Sequence, residues 1–559
     1  MCEPVDTLIR GTLVNVHTGR LEDGAVAVDD GEIVALEPRP ARRELQAAYI
    51  TPGLIDAHMH VESSMVTVTR YGEAVVPRGV AGIVHDPHEI GNVLGVAGVT
   101  ALLEDAAQTP LKARFTVPSS VPASPLQDGG ATIGPDAVRH LLDEDDVVAL
   151  GEVMTIPGLI AGDEAVHEKI SAAREQGLTV DGHLPRVTGS DLQEAARYLD
   201  TDHESIDLAE ARAKADAGIA VYLREGSSSK NLAELAPLAD QVDTRLLSLC
   251  TDDRDVTELL DRGGIDDVLR TAIAEGIDPV TAVQMATLNT AERYDLPFGR
   301  LQPGAPADLV LVADLENWVV DHVMIDGVLD PTTDSEPETS TALSTETMHC
   351  DPVSVPQLVH PAPQPAPGET PPSAVRVRVI DAVGGLQTAR MEATVPVVET
   401  GLGANTDDDI LPLAVIDRHR PDGPIGTGFV HRLGLSRGAI GTTVAHDAHN
   451  LVVAGVTHDA MATVATHLRE IGGGIAAYDP ETNELSSLAL PVAGLLSDRP
   501  IETVAESYRA VETTAERIGL VDTGLLQLTF LALEVIPEWR LTPRGLVDVD
   551  RMAFVDVVV

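Results

Sequence analysis

Short apolar runs that end in polar residues recur along the first half of the chain, and amphipathic, helix-like stretches such as EAVHEKISAAREQG lie between most of them. This alternation is typical of a parallel sheet covered by helices. Eight such runs follow one another: LIDAHMHVE (54–62), VAGIVHDPHE (80–89), RFTVPSS (114–120), VVALGEVM (147–154), LTVDGHLP (178–185), TDHES (201–205), IAVYLREGS (219–227) and LLSLCTDD (246–253). They predict a (β/α)8 barrel over residues 52–297, and the periodicity alone leaves an open doubly wound sheet as the alternative.

Alternating apolar and polar positions on both flanks of this region predict short β-strands. Residues 5–51 contain such runs, separated by Gly and Asp, and residues 304–330 show the same alternating pattern. A period of two residues is typical of a strand with one buried face. We therefore predict that residues 1–51 and 298–330 pair as one small β domain, into which the barrel is inserted.

The remainder of the chain divides into a polar segment and a second ordered region. Residues 331–376 are rich in Pro, Ser, Thr and Glu, which predicts a linker with polyproline character near 361–372. Residues 377–559 mix strand-like runs such as AVIDRH with a helical pattern over DAMATVATHLREIG. The expected fold class is α/β, with a C-terminal α/β domain beside the barrel and the small β domain.

The charge balance excludes two classes of partner. The 559 residues include 38 Lys and Arg against 88 Asp and Glu, for a net charge of −50. This excess of acid repels phosphate backbones and anionic lipids, so we expect neither a nucleic-acid nor a membrane partner. Only four of the cations are lysines, at positions 112, 169, 214 and 230. Acidic, lysine-poor surfaces suit molar salt, so we interpret the chain as a halophile's protein, with an ordinary acidic protein as the alternative.

Cysteine usage and the N-terminal segment indicate the compartment. The three cysteines, Cys2, Cys250 and Cys350, are far apart and form no C-x-x-C motif, which excludes a disulfide scaffold and a cysteine-ligated zinc site. The first residues carry acids and no apolar core of a signal peptide. No run approaches the roughly 18 apolar residues of a membrane-spanning helix. We therefore expect a cytoplasmic protein.

Metal-ligating side chains stand at the ends of the predicted barrel strands. His58 and His60 form an H-x-H motif, and residues two apart on a strand point to the same face. Because the carboxyl ends of barrel strands meet at one mouth, six side chains should converge there: His58, His60, Glu152, His183, His203 and Asp252. Imidazole and carboxylate suit Zn²⁺, Fe²⁺ or Mn²⁺. Six ligands would crowd one ion, so we predict two, bridged by Glu152.

These residues lie in strings that resemble a known family. PGLIDAHMHVESSM resembles the amidohydrolase superfamily. DPHEIGNVLGVAG, GEVMTIPGLI, VDGHLP, TDHES, REGSSSKNL, TDD, MATLNTA, GAPADLVLV, VAHDAHNLVVAG and VIPEWRLTPRGLVDV are together similar to the two-metal adenine deaminases of bacteria and archaea. The strings occur in family order over nearly the whole chain apart from 331–376. The resemblance implies hydrolysis of adenine to hypoxanthine and ammonia in purine salvage, with two divalent ions, Mn²⁺ or Fe²⁺, and Zn²⁺ as a further option.

By this resemblance, the six predicted ligands fall on the family's metal-binding motifs. Glu152 separates the chain from hydantoinases and ureases, which place a carboxylated lysine at the end of the fourth strand. The chain departs from the family pattern at Gly264, where RGGID replaces a run that usually contains His, and in VDGHLPRVTG, where Ala-Pro-Gly is commoner after the His. These departures concern a secondary contact and leave the metal set intact.

The implied reaction needs proton carriers beside a metal-bridged hydroxide that attacks C6 of adenine. A ring nitrogen and the departing amine must both be protonated. We expect Asp252 to be the proton shuttle. Glu62 either exchanges a proton with the ring or orients His60 from behind.

Further candidates have two open interpretations each. Asp86, His88 and Glu89 follow the second run and either bind the purine or hold the metal-binding histidines, whereas His85 should point to the opposite face as a structural residue. Arg224 and Glu225 either bind a base edge or form a loop salt bridge. A C-terminal loop has the composition of a metal cluster or of a lid: His446, Asp447, His449 and Asn450.

Two other functions compete with deamination. An amide hydrolase of the N-acetylglucosamine-6-phosphate deacetylase kind would also use a Glu ligand, but it needs cations for the sugar phosphate, and the strand ends here carry mainly acids. A barrel that has lost turnover is the non-catalytic alternative, which the intact ligand set disfavours. We expect adenine as the small-molecule partner and a homo-oligomer, a dimer.

The halophilic interpretation predicts a steep dependence of stability on salt. Removing salt should unfold the protein, because repulsion among surface carboxylates is then no longer screened. The thermal midpoint, followed by circular dichroism, should climb steeply between low and molar KCl. A flat salt profile would contradict the interpretation and leave the composition merely acidic.

Overall fold

The computed structural model describes residues 3–332, 343, 346–365, 370–521 and 524–559. The described residues fall into two compact units, which we call the first and the second unit. The first is drawn from residues 1–87, 100–120 and 134–340, and the second from residues 88–99, 121–133 and 341–559. Among the described residues, no helix is long and apolar enough to cross a membrane.

Four strands form in the N-terminal region where the pattern predicts them, but buried and exposed positions alternate throughout only in the third. They are β1 (Val5–Asn15), β2 (Arg20–Asp29), β3 (Glu32–Ala35) and β4 (Ala41–Pro52). β1 pairs antiparallel with β2 and parallel with β4. Their apolar side chains, Ile9, Val26 and Ile33 among them, form the core beneath one face of the sheet.

Eight parallel strands follow in the first unit: β5 (Leu54–Met59), β6 (Val80–His85), β7 (Lys112–Val117), β8 (Val147–Val153), β9 (Thr179–Gly182), β10 (Thr201–Asp202), β11 (Ala220–Arg224) and β12 (Leu247–Cys250). β5 to β9 pair in order, and so do β10 to β12. A hydrogen bond of 2.9 Å from the Asp200 N–H to the Val180 carbonyl joins β9 to the start of β10.

The sheet closes on itself where β12 meets β5. The Asp252 N–H donates to the His58 carbonyl at 3.0 Å, and the His60 N–H donates to the Asp252 carbonyl at 3.0 Å. Closure removes both sheet edges, so the predicted (β/α)8 barrel is confirmed and the open sheet is excluded. The same closure brings His58, His60 and Asp252 together through their own backbones.

Helices follow the barrel strands along the chain: α1 (Val68–Val75), α2 (His88–Leu94), α3 (Val96–Ala106), α4 (Pro135–Leu141), α5 (Ile156–Ala161), α6 (Glu164–Glu175), α7 (Gly189–Ala195), α8 (Leu208–Asp216), α9 (Leu232–Leu235), α10 (Val256–Asp261), α11 (Ile265–Ala274), α12 (Pro279–Met285) and α13 (Leu288–Arg293). Aspartates start several of them. The carboxylates of Asp163, Asp207, Asp255 and Asp278 accept the first free N–H groups of α6, α8, α10 and α12. Part of the acid excess thus serves helix capping.

After the barrel the chain returns to the N-terminal sheet with β13 (Leu309–Asp314), β14 (Val319–Ile325) and β15 (Val328–Leu329). β13 pairs antiparallel with β4, where Leu311 lies opposite Ile50. The seven strands form one sheet in the order β15-β14-β13-β4-β1-β2-β3. The two flanks of the barrel therefore build one sheet, while the predicted domain boundaries stay predictions.

The second unit contains a nine-stranded sheet: β16 (Ala374–Gly384), β17 (Gln387–Val398), β18 (Gly401–Leu402), β19 (Ile410–Ile416), β20 (Ile425–His431), β21 (Ala439–Thr442), β22 (Leu451–Gly455), β23 (Gly474–Asp479) and β24 (Glu484–Ala489). The same unit contains a three-stranded sheet and further helices: β25 (Trp539–Thr542), β26 (Gly545–Asp548), β27 (Ala553–Phe554), α14 (His458–Glu470), α15 (Ile501–Arg517) and α16 (Gly524–Phe530). The helical pattern over DAMATVATHLREIG corresponds to α14.

The predicted linker differs from the structure in its described part. Residues 333–342, 344–345 and 366–369 lie outside the described residues. Cys350, Val353 and Leu358, however, belong to the same buried cluster as residues of α14, and β16 begins at Ala374 rather than after 376. Burial of Cys350, Val353 and Leu358 gives this described part a fixed place in the second unit.

A buried polar network lies inside the barrel. The Tyr222 hydroxyl donates to the Tyr294 hydroxyl at 2.9 Å, which in turn contacts the Asp181 carboxyl at 2.9 and 3.0 Å. Thr201 Oγ1 donates to the same carboxyl at 2.8 Å. Burial raises the pKa of Asp181 to about 7, against these hydrogen bonds. Because this carboxyl is buried away from bulk solvent, it depends on its hydroxyl partners.

We expect Tyr294→Phe to lower the free energy of unfolding by about 1–3 kcal/mol, because it leaves both Asp181 and the Tyr222 hydroxyl short of a buried partner. Urea unfolding measures the change. Tyr198→Phe, at a half-buried position outside this network, is the matched control and should change stability little. Equal losses in the two variants would show that the network contributes no stability of its own.

Candidate metal centre and active site

The six side chains predicted as metal ligands lie together at the carboxyl ends of the barrel strands, all within the first unit. His58 and Glu152 belong to β5 and β8 themselves, and the other four stand one or two residues after their strands. Five are almost inaccessible to solvent, and the His183 side chain is 15% exposed. Buried imidazoles and carboxylates are costly unless they are paired or bind a cation.

Glu152 lies between two groups of imidazoles. Its Oε2 is 2.8 Å from His183 Nδ1 and 3.1 Å from His203 Nε2. Its Oε1 is 3.8 Å from His60 Nε2. Because the two oxygens face different histidines, this carboxylate has the geometry to contact two ions at once.

Asp252 completes the ring of ligands directly after β12. Its Oδ1 lies 3.2 Å from His60 Nε2 and 3.5 Å from His58 Nε2. The residue has a positive φ of 58°, a conformation that Asp adopts more readily than most residues. This turn of the backbone aims the carboxylate at the histidines of the first strand.

The potential ligand atoms form overlapping triads in which all atoms lie within 4.8 Å of one another: His58–His60–Glu152, Glu152–His183–His203 and His58–His203–Asp252. The hydrogen bond at His60 supports this assignment. Its Nδ1 lies 2.9 Å from the Asp86 carbonyl, so Nδ1 carries the proton and Nε2 keeps a lone pair directed at the other ligands. The residues present therefore fit a divalent metal ion.

The electrostatics of the site favour bound cations. Burial opposes ionisation of Glu152, but His183 and His203 outweigh it and hold the pKa of this carboxyl well below its ordinary value. Burial likewise disfavours the charged form of His183, yet mainly Glu152 raises its pKa to about 9. Positive charge therefore stabilises the buried carboxylates. A divalent ion supplies this charge in a smaller volume than two protonated imidazoles do.

Arg224 lies beneath the ligands and is fully buried. Its Nη1 pairs with Glu204 and Asp252, and its Nη2 donates to Ser229 Oγ at 2.8 Å. Arg224 thus forms salt bridges, one of the two roles considered for it, and its contact with a base edge stays a prediction. Glu225 lies apart from these contacts, 3.6 Å from Lys230 Nζ. Burial alone would raise the pKa of Asp252, but the positive charge of Arg224 and the contacts with His58 and His60 hold it well below its usual range.

Sequence reasoning missed Glu204. Its carboxylate is buried, accepts from Arg224, and lies 3.7 Å from His203 Nε2 and 3.9 Å from His183 Nδ1. The available signal was its position directly after His203 in TDHES. The site therefore holds a third carboxylate beside Glu152 and Asp252.

Glu62 and Asp86 support the site from neighbouring positions. Glu62 Oε2 lies 3.5 Å from Nε2 of the fully buried His85. Asp86 Oδ2 accepts the Glu152 N–H at 2.9 Å. The Asp86 carboxylate passes so close to Gly151 that a Cβ there would lie 2.3 Å from Oδ2, which explains the glycine. Asp86 thereby holds both His60 and Glu152 in place.

The remaining candidates, His88, Glu89 and the 446–450 loop, belong to the second unit. Glu89 is buried, pairs with His446 Nδ1 and His449 Nε2, and lies 3.3 Å from His88 Nε2. The Ala445 N–H donates to His449 Nδ1 at 3.1 Å, so neutral His449 carries its proton on Nε2 and donates it to Glu89. This tautomer leaves no lone pair on Nε2 for a metal ion.

Two family descriptions match the chain. Residues 49–329 match the amidohydrolase family, and residues 386–553 match the adenine deaminase C-terminal domain. Among solved structures, a crystal structure of an adenine deaminase covers 58% of this chain and 99% of its own, at 18% identity and a TM-score of 0.45.

Three relatives that match over nearly their full length are named adenine deaminase. The adenine deaminase of Desulfatibacillum aliphaticivorans is 36% identical over 575 residues, which is 99% of this chain and 97% of that protein. That of Salinibacter ruber is 38% identical over 99% of both chains, and that of Methanothermobacter thermautotrophicus is 39% identical over 97% of this chain and 98% of its own. The chain therefore belongs to the adenine deaminase family.

Proposed function

We propose that this chain is a metal-dependent hydrolase that converts adenine and water to hypoxanthine and ammonia. The observation that carries the proposal is the convergence of four imidazoles and two carboxylates on one barrel mouth, in a chain of the adenine deaminase family. Nearly full-length similarity to adenine deaminases supports the substrate. The acidic, lysine-poor composition supports work at high salt concentration. A role in purine salvage is proposed from the family resemblance alone, and the cytoplasmic location stays a prediction. The homodimer stays a prediction.

We propose two divalent ions, Mn²⁺ or Fe²⁺, with Zn²⁺ as a further option. Two ligand triads that share only Glu152 support this number: His58 and His60 on one side, His183 and His203 on the other. Asp252 extends the first group through its contacts with both of its histidines. When bound, such ions supply Lewis acidity and lower the pKa of a coordinated water to about 7.

The proton balance of the reaction assigns a role to Asp252. Water gives its oxygen to C6 and two protons, one to the ring nitrogen beside C6 and one to the amine that departs as ammonia. Arg224 fixes Asp252 Oδ2, so Oδ1 is the oxygen available to accept and return a proton. The lowered pKa keeps this carboxylate ionised near neutral pH, which is the state a proton acceptor needs.

Roles for the other candidates follow from their contacts. Glu62, paired with His85, is the next carboxylate in line as a proton carrier. We propose that Asp86 and Arg224 position the ligands, since each contacts ligand atoms or their backbone directly. Glu225 stays a proposed contact for a base edge, as do His88 and Glu89 of the second unit.

A purine screen tests the proposed function. Metal-free protein reconstituted with Mn²⁺, Fe²⁺ or Zn²⁺ should release ammonia from adenine and yield hypoxanthine. Metal-free protein is the control. Ammonia release from none of the 6-aminopurines with any metal would overturn the proposal.

Glu152→Gln tests the shared ligand. The neutral amide cannot serve as an anionic bridge, so metal content and turnover should fall together. Metal analysis beside the ammonia assay measures both. Glu175→Gln, on the exposed end of α6, is the matched control and should retain both. Full metal content and full turnover in Glu152→Gln would contradict the two-metal assignment.

Asp252→Asn tests the proton shuttle. The variant should keep at least one ion, held by the other ligands, and be slower by about 10² or more, the usual range for a positioned acid–base group. The acidic limb of the pH profile should also change below the ordinary titration range of a carboxyl: protonation of Asp252, whose pKa is lowered, removes the acceptor there in the parent enzyme, and Asn cannot titrate. A metal-replete variant with near-normal turnover and an unchanged profile would transfer the role to Glu62.

A further inference from the structure

Lysine is rare in this chain, and the lysines that remain have specific surroundings. Four of the 38 basic residues are lysines. Lys112 contacts three carboxylate oxygens, of Asp308 and Asp326, at 2.7–2.9 Å. Lys214 has no solvent exposure at all. In a chain that otherwise uses arginine, a buried lysine indicates a place that requires a compact ammonium group.

Three oxygens surround the Lys214 ammonium. Nζ donates to the Leu184 carbonyl at 2.6 Å, to Asp202 Oδ2 at 2.8 Å and to Glu210 Oε1 at 2.7 Å. An ammonium has three N–H groups, so these three acceptors use all of them. Both carboxylates are buried, and their charge is compensated here by a single cation.

Each of these oxygens belongs to a residue that either is the sequence neighbour of a metal ligand or hydrogen-bonds the loop that carries one. Leu184 follows His183, and Asp202 precedes His203. The Asp202 carboxylate also accepts the Leu184 N–H at 2.9 Å, on its other oxygen. Lys214 therefore ties the loop after β9 to the end of β10 through both a carbonyl and a carboxylate.

Glu210 extends the same network from α8. Its Oε1 accepts the Arg186 N–H at 2.8 Å, and its Oε2 accepts the Ile206 N–H at 3.4 Å. Arg186 and Ile206 each stand three residues after a metal ligand, one in the His183 loop and the other in the His203 loop. One buried cation on α8 thus organises the backbone of both loops.

We propose that Lys214 is a positioning residue of the metal centre: it holds the loops that carry His183 and His203 and so sets the affinity of the ion bound between these imidazoles and Glu152. The inference rests on the proposed metal-dependent function. Removal of the Lys214 ammonium leaves two buried carboxylates without their cation, and the loops must move to hydrate these carboxylates. Loss of such support behind a metal ligand weakens metal binding by about 10- to 100-fold.

Lys214→Met tests the proposal, and Lys112→Met is its matched control. Both changes remove a lysine that compensates two carboxylates, but Lys112 stands at the start of β7, away from the carboxyl ends that carry the ligands. Metal-free protein is titrated with Co²⁺ in the absence of adenine, and affinity and the visible spectrum of the bound ion are recorded. We expect about 10- to 100-fold weaker binding and an altered spectrum in Lys214→Met, and neither change in Lys112→Met.

Glu210→Gln keeps the test decisive if Lys214→Met does not fold. It preserves size and the Lys214–Asp202 pair, and it should weaken Co²⁺ binding in the same direction by a smaller factor. Co²⁺ binding and a spectrum like those of the parent protein in Lys214→Met, or in Glu210→Gln should the first variant not fold, would overturn the proposal. Failure of the parent protein to bind Co²⁺ would instead overturn the metal-dependent function on which the inference rests.

Discussion

The mouth of the barrel depends on neutralising three carboxylates that lie within reach of one another. Glu152, Glu204 and Asp252 are all buried, and burial together with the charge of Asp252 disfavours ionisation of Glu204. Arg224 meets this constraint for two of them, and the surrounding histidines do so for the third. Divalent cations fit this site, because its three buried carboxylates carry more negative charge than the fixed cation Arg224 compensates.

The same principle explains how an acidic chain distributes its few cations. Lys214 compensates Asp202 and Glu210, and the fully buried Arg254 pairs with Asp267 and Glu258. Removing one partner of such a cluster is costly, because the other charges then stay buried and unpaired. Lys214 and Arg254 therefore stand where buried carboxylates of the first unit need a cation, while other aspartates of the chain cap helices.

The barrel was predictable because each strand is an apolar run in the sequence. The meeting of the six candidate ligands at its mouth was predictable because each of them stands at or just after the end of a strand. Glu204 was not: strand β10 is only two residues long, so alternation gives no reliable direction for the residues that follow it. The partner of Arg224 was equally hidden, since Glu204 and Asp252 are 20 and 28 residues away. Residues 88–99 join the second unit through contacts with distant segments, which leave no local signal.

Residue type alone also could not separate ligands from supports among the histidines. His60 and His449 both stand beside buried carboxylates. The difference lies in the other ring nitrogen: at His60 it faces a carbonyl and must carry the proton, whereas at His449 it accepts a backbone N–H and cannot. His60 therefore directs a lone pair at its neighbours, and His449 directs a proton at Glu89. The backbone group behind each imidazole decides whether it can bind a metal ion.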